Sequence, residues 1–231
     1  MARINKSKLT KLEIINEATK QFLEKGYSNT TVSSIAKALE MSTGNLTFYF
    51  PTKEHLLSEL VDMLCGFQWS LMEEEAGEGL SSLMAMCLEL TTMACACENN
   101  EILKDFFIST YTNPLCLGII RRNDTERAKK IFSEYRPEWS EEQFAEAEIL
   151  VSGIEYATLM TAGIPVPLEA RIAGALRNIM SVYGVPEETQ KIKLEKVFLL
   201  DYKKLSDEIV GKFKKYVNDE NEKAFKELLK I

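Results

Sequence analysis

Apolar residues recur at three- and four-residue steps along nearly the whole chain. Between Thr10 and Lys25, Leu12, Ile15, Ala18 and Phe22 fall on one stripe that Ile14 widens, which predicts an amphipathic helix. Thr10 followed by Glu13 predicts a capping box at its start, and Gly26 a left-handed stop at its end. Thr31 then opens a helix of barely two turns, with Val32, Ile35, Ala36 and Leu39 on its inner face. Ser42 opens a third, which ends near Phe50-Pro51 because the residue before proline disfavours helical geometry. Thr52 caps a fourth that begins at Lys53.

Helical periodicity continues to the end, punctuated by Gly77 and Gly79, Asn99-Asn100, Asn113-Pro114, Pro137, Gly163 to Pro167 and Gly184 to Pro186. The predicted helices are 53–75, 80–98, 101–111, 115–135, 139–162, 168–183, 187–217 and 220–230. No strand-like alternation persists, so the expected fold is all-α.

Two short helices joined by a tight turn, supported by a longer first helix, have the dimensions of a helix-turn-helix. Such a unit needs small or polar groups outward on its second helix and apolar groups inward. Ser42, Thr43, Asn45 and Thr47 supply the first, Leu46 and Phe50 the second. Residues 10–57 as a whole resemble the DNA-binding domain of the tetracycline-repressor (TetR/AcrR) family. The resemblance rests on Ile14-Ile15, Ala18, Phe22 and Gly26-Tyr27, then Thr31-Val32-Ser33-Ser34-Ile35-Ala36. It continues through Ser42-Thr43-Gly44-Asn45-Leu46 and Tyr49-Phe50-Pro51-Thr52-Lys53-Glu54-His55-Leu56. Two positions depart from the family pattern. Glu40 stands where a turn glycine is usual, and Thr47 where the recognition helix usually carries a tyrosine.

The resemblance implies a helix-turn-helix domain over 1–55 and a larger helical, effector-binding and dimerising domain over 56–231. By position it implies that Thr31, Tyr49 and Lys53 bind phosphates. Thr43 and Asn45, with Ser33 and Thr47, would face base edges, where Asn can pair bidentately with adenine and Thr can meet a thymine methyl. It further implies double-stranded operator DNA, a homodimer and a small-molecule effector of unknown identity as partners. The dimer would use helices 139–162 and 168–183, where Gly153, Ala157, Ala162, Ala173, Gly174 and Ala175 permit close approach. For the effector pocket, composition nominates Trp69, Phe106, Phe107, Tyr111 and Tyr156, since aromatic residues suit apolar small-molecule sites and also fill cores. The long segment 187–217 either extends the dimer surface or covers the body, and the second is expected.

Charge sharpens this picture. The net charge is −7, yet residues 1–55 carry eight Lys/Arg against five Asp/Glu, leaving twenty against thirty for the remainder. A basic head on an acidic body suits a protein whose N-terminus alone meets a polyanion. The polar, basic N-terminus lacks the apolar core of a secretory signal, and Leu83 to Cys97 is too short to span a bilayer, so a cytoplasmic protein without a membrane partner is expected. Five cysteines, an odd number, are expected as reduced, buried thiols, and Cys95-Ala-Cys97 leaves a thiol- or metal-responsive regulator of the same fold as an alternative. With one histidine and no nucleophile elbow or phosphate-binding glycine loop, neither catalysis nor a cofactor is implied. A helical protein-interaction adaptor is the remaining rival.

Overall fold

The first helix, α1 (Lys6–Lys25), buries Ile14, Ile15, Ala18 and Phe22 as their spacing predicts. In this computed structural model, which describes residues 6–77, 81–160 and 165–229, it starts a turn before the predicted Thr10 cap. Nothing between Lys6 and Leu9 is a glycine or proline that would stop it, so Thr10 lies inside the helix. Gly26 ends it at φ 88°, a conformation that residues with a Cβ rarely adopt.

α2 (Val32–Ala38) and α3 (Thr43–Tyr49) follow. Thr31 caps α2 in a reciprocal box with Ser34, and the Ser34 hydroxyl also donates to buried Gln21 of α1 at 2.8 Å. Ser42 caps α3 by accepting the Asn45 amide at 3.1 Å. Between them Glu40 holds φ 53°, the left-handed turn that a glycine would adopt without strain. Ile14, Phe22, Ile35, Leu46, Leu56, Leu57 and Leu60 are fully buried and lock the three helices onto α4 (Lys53–Gly77).

α4 continues into a helical body made of α5 (Ser82–Asn99), α6 (Glu101–Thr112), α7 (Pro114–Phe132), α8 (Glu141–Met160), α9 (Leu168–Val182), α10 (Glu187–Leu199) and α11 (Tyr202–Leu229). No strand occurs among the described residues. Asn100 and Asn113 cap α6 and α7 with their side-chain oxygens, which explains the two asparagine breaks. Gly79, Ala162 and Gly163 lie outside the described residues.

The C-terminal segment departs from expectation. The predicted helix 187–217 is broken at Leu200, which is extended, and Asp201 restarts the chain by accepting the Lys204 amide at 3.2 Å. The apolar stripe runs across this break, which hides it from periodicity. Conversely, α11 passes straight through Asn218-Asp219, where a break was expected, because Val217 and Asn221 remain buried against neighbours. About 42 Å long at 1.5 Å per residue, α11 packs on α5 and α4 and reaches back to α1.

Candidate nucleic-acid interface and buried cavities

On α3, Thr43, Gly44 and Asn45 are exposed while Leu46 has no accessible surface, so the short helix is anchored on one side and free on the other. Ser33 and Thr31 are also exposed, at the start of α2. Thr47 is half-buried and its hydroxyl donates to the Gly44 carbonyl at 3.2 Å. Tyr49 is half-buried, with the ring of Phe48 edge-on to it at 5.4 Å. Phe48 is the residue that sequence reasoning missed. It is 80% exposed on α3, and a search of the outer face for small or polar groups passes over it although its position opposite Leu46 points outward.

Lys53 stands at the first turn of α4, but its ammonium is not turned to solvent. Nζ donates to the carbonyls of Tyr27 and Thr30, each at 2.9 Å, and lies 3.9 Å from the centre of the Tyr27 ring. Partial burial lowers its pKa. The Tyr27 hydroxyl in turn donates to Glu54 at 3.1 Å. Lys53 thus clamps the α1–α2 loop to α4. A second clamp comes from the body: Asp105 of α6 accepts the Ser28 amide at 2.8 Å and the Ser28 hydroxyl.

Two of the cavities in the body lie against its buried charged residues. The first, about 60 Å³, is enclosed by α4, α5, α6 and α11 and is lined mainly by apolar side chains, among them Phe67, Phe106, Phe107 and Phe213. Its polar exceptions include Gln68, Glu89 and Arg127. The second, about 40 Å³, lies between α5, α7, α8 and α9 and is lined by Asp124, Arg127, Glu148, Glu155 and Tyr183 among others. Arg127 borders both, held by a two-pronged ion pair to Glu89 and by Asp124 at 3.4 Å. Of the five composition-based candidates, Phe106 and Phe107 meet at the first cavity. Trp69 bonds Asn123 at 2.7 Å through its ring N–H, and Tyr111 donates to Glu155 at 2.9 Å and stacks on Tyr156. None of these three lines either cavity.

The acids of the second cavity are forced toward neutrality. Burial, with Asp124 nearby, pushes Glu148 up to about 8, and burial raises Asp124 to about 6. Glu155, for the same reasons, sits well above the usual carboxylate range. The Tyr183 hydroxyl donates to one Glu148 oxygen, while Oε2 has no partner.

All five cysteines are buried and free, and burial pushes Cys65, Cys87, Cys97 and Cys116 up to about 12. Thiolate is therefore scarce, which weighs against a reactive sensor. Among the described residues no group of three or more His, Cys, Asp or Glu side chains is placed to hold a metal ion. No described helix is long and apolar enough to cross a membrane.

With this geometry in place, the chain can be set beside known proteins. Residues 14–60 match the family described as bacterial regulatory proteins, tetR family. An uncharacterized helix-turn-helix-type transcriptional regulator of Bacillus subtilis, YuxN, is 45% identical over 49 residues, 21% of this chain and 17% of that protein. The transcriptional regulator QacR of Staphylococcus aureus is 40% identical over 51 residues, 22% of this chain and 27% of that protein. The matches therefore span less than a third of either relative. Among solved structures, the full-length tetR regulator tylP of Streptomyces fradiae is 19% identical, with 87% of this chain and 95% of that one covered at a TM-score of 0.47.

Proposed function

With residues 14–60 belonging to the tetR family of bacterial regulatory proteins, we propose that the chain is a ligand-responsive, DNA-binding transcriptional regulator. The observation that carries this is α3, whose Thr43, Asn45 and Phe48 are exposed while Leu46 is fully buried. Asn45 offers a bidentate partner for adenine, and Thr43 and Phe48 offer apolar contacts for thymine methyls. Thr31 and Tyr49 serve the phosphates, together with the backbone amides at the start of α4. Lys53 supports that start from beneath, since its ammonium is engaged by Tyr27 and Thr30. Ser33, Ser42 and Thr47 complete the polar border of the surface.

A seven-residue recognition helix reads too few base pairs for specificity alone, so two copies act together on a near-palindromic operator. The dimer forms through α8 and α9. In support, Ile149 and Leu150 of α8 are 55% and 61% exposed beside exposed Gly153 and Ala157, an apolar stripe that a second copy would cover. A small molecule held among the body helices favours a shifted position of α4 and α11, changes the separation of the two recognition helices, and releases the operator. A hundredfold loss of operator affinity requires only about 2.7 kcal/mol of differential ligand binding.

The test is a gel-shift of the full-length chain on its own upstream region, followed by footprinting. A protected, near-symmetric site supports the reading. Equal affinity for all duplexes would leave a non-specific DNA-binding protein, and no binding would favour a helical adaptor.

A further inference from the structure

We propose that these two cavities form one site for an amphipathic amine, its apolar part between α4, α5, α6 and α11 and its ammonium among the carboxylates of α7 and α8, of which Glu148 is buried. This rests on the reading of the chain as a ligand-responsive regulator and names the chemical class of the ligand. The two cavities share one wall, the Arg127 side chain, which lines both and stands between them.

Charge and hydrogen bonding decide which end of a ligand faces which cavity. The first cavity is walled by phenylalanine, leucine and methionine side chains and suits a hydrocarbon or aryl group. Around the second stand Asp124, Glu148 and Glu155, with Glu89 at the boundary. Against these acids Arg127 is already committed to Glu89 and Asp124, and Arg121 donates through Nε to Ser152 at 3.0 Å. Glu148 is 2% exposed, and its Oε2 is a buried acceptor with no donor. Leaving such an acceptor unmade is costly, and an ammonium N–H would satisfy its hydrogen bond and its charge together. A neutral alcohol supplies only the hydrogen bond. A carboxylate ligand would meet the same acids and be repelled.

Burial and mutual repulsion raise Glu148, Asp124 and Glu155, so Glu148 holds a proton near neutrality. The groups facing Glu148 are Tyr183 beyond α9, Asp124, Arg127 and Arg121 of α7, and Glu155 on its own helix. Tyr111 of α6 and Glu89 of α5 act on it through Glu155 and Arg127. An entering ammonium favours the ionised carboxylate, so binding expels a proton near neutrality and tightens as pH rises toward 8. Both cavities are smaller than the ~300 Å³ of ordinary ligand sites, so entry parts the walls. One of those walls, α11, ends on α1.

The experiment is isothermal titration of the full-length chain with phenylbutylamine, phenylbutanol and phenylbutyrate, in two buffers of different ionisation heat at pH 7, with operator binding measured in parallel. The amine is expected to bind at least tenfold more tightly than the alcohol, with the carboxylate weakest and with proton release seen only for the amine. Glu148→Gln is expected to lower amine affinity at least tenfold, to the alcohol's range, and to change alcohol affinity far less, and Glu155→Gln, checked for folding by circular dichroism, is a second variant with the same expectation. An alcohol that binds as tightly as the amine, amine affinity indifferent to both variants, or no binding by any of the three would overturn the proposal. Operator release separates the two ideas. Amine-selective binding that leaves operator affinity unchanged upholds the site and refutes the effector reading, whereas release by alcohol and amine alike refutes the site's cation selectivity alone.

Discussion

Asn221 and Thr19, near opposite ends of the chain, meet in the interior: Asn221 Nδ2 donates to Thr19 Oγ1 at 3.3 Å, and both side chains are buried. The last helix is thereby fastened to the first helix of the helix-turn-helix head. Further along, α11 donates from Ser206 to the Thr92 carbonyl of α5 at 3.0 Å and packs Phe213 against Phe67 of α4 at 5.4 Å. A single element therefore borders the apolar cavity and touches the head.

Breaking this fastening should cost little stability and much communication. Asn221→Ala is expected to lower unfolding free energy by about 1 kcal/mol, since Thr19 keeps its bond to the Asn16 carbonyl at 3.1 Å. A double-mutant cycle with Thr19→Ala should return a coupling of roughly 0.5–1.5 kcal/mol in denaturant unfolding. Additive effects of the two substitutions would mean that the contact contributes nothing.

Glu40 carries the one left-handed non-glycine backbone among the described residues. Replacing it with glycine removes the Cβ clash and is expected to stabilise the chain by about 0.5–1 kcal/mol, offset in part by added freedom in the unfolded state. Thermal melting checks this. A lower melting temperature would mean that Glu40 makes a favourable contact outweighing its strain.

Glu148 makes stability depend on pH. Its folded pKa of about 8 stands above its ordinary 4.5, so the folded state binds the proton more tightly. The stabilisation is complete below 4.5 and is lost as pH rises through about 8. Glu148→Gln should therefore gain stability relative to the native chain between acidic pH and pH 9. A pH-independent difference would place the ionised carboxylate comfortably in the fold.

The head was legible because its signals are local. Thr31, Ser42 and Gly26 fix helix boundaries through bonds within a few residues, and Leu46 and Ile35 declare their buried face by spacing alone. Lys53 was legible as a residue at a helix start but not as a clamp, because Tyr27 and Thr30 reach it only through the tertiary fold. The same holds for the cavities. Phe106 and Phe107 were recognisable as aromatic, yet nothing local announces that Arg127, Glu89 and Glu148 converge from three helices. Leu200-Asp201 escaped because the apolar stripe kept its phase across the break.

Lys53 and Asn45 should separate support from readout. Lys53→Ala is expected to lower the stability of the head while leaving the salt dependence of DNA binding nearly unchanged, because the ammonium already bonds two carbonyls. A slope reduced by about one unit would show that Lys53 swings out to a phosphate on binding. Asn45→Ala is expected to cost about 1–3 kcal/mol on the operator and much less on unrelated DNA. Equal losses on both would assign Asn45 to the backbone.

The most direct measurement of the central claim is selection of duplexes from a random pool by the full-length chain at physiological salt, repeated with Asn45→Ala and Phe48→Ala. A ligand-responsive regulator reading DNA through α3 is expected to enrich a near-palindrome with half-sites about one helical turn apart, and each variant should lose enrichment at particular positions of each half-site. Recovery of no common sequence, or an identical sequence from all three proteins, would contradict it.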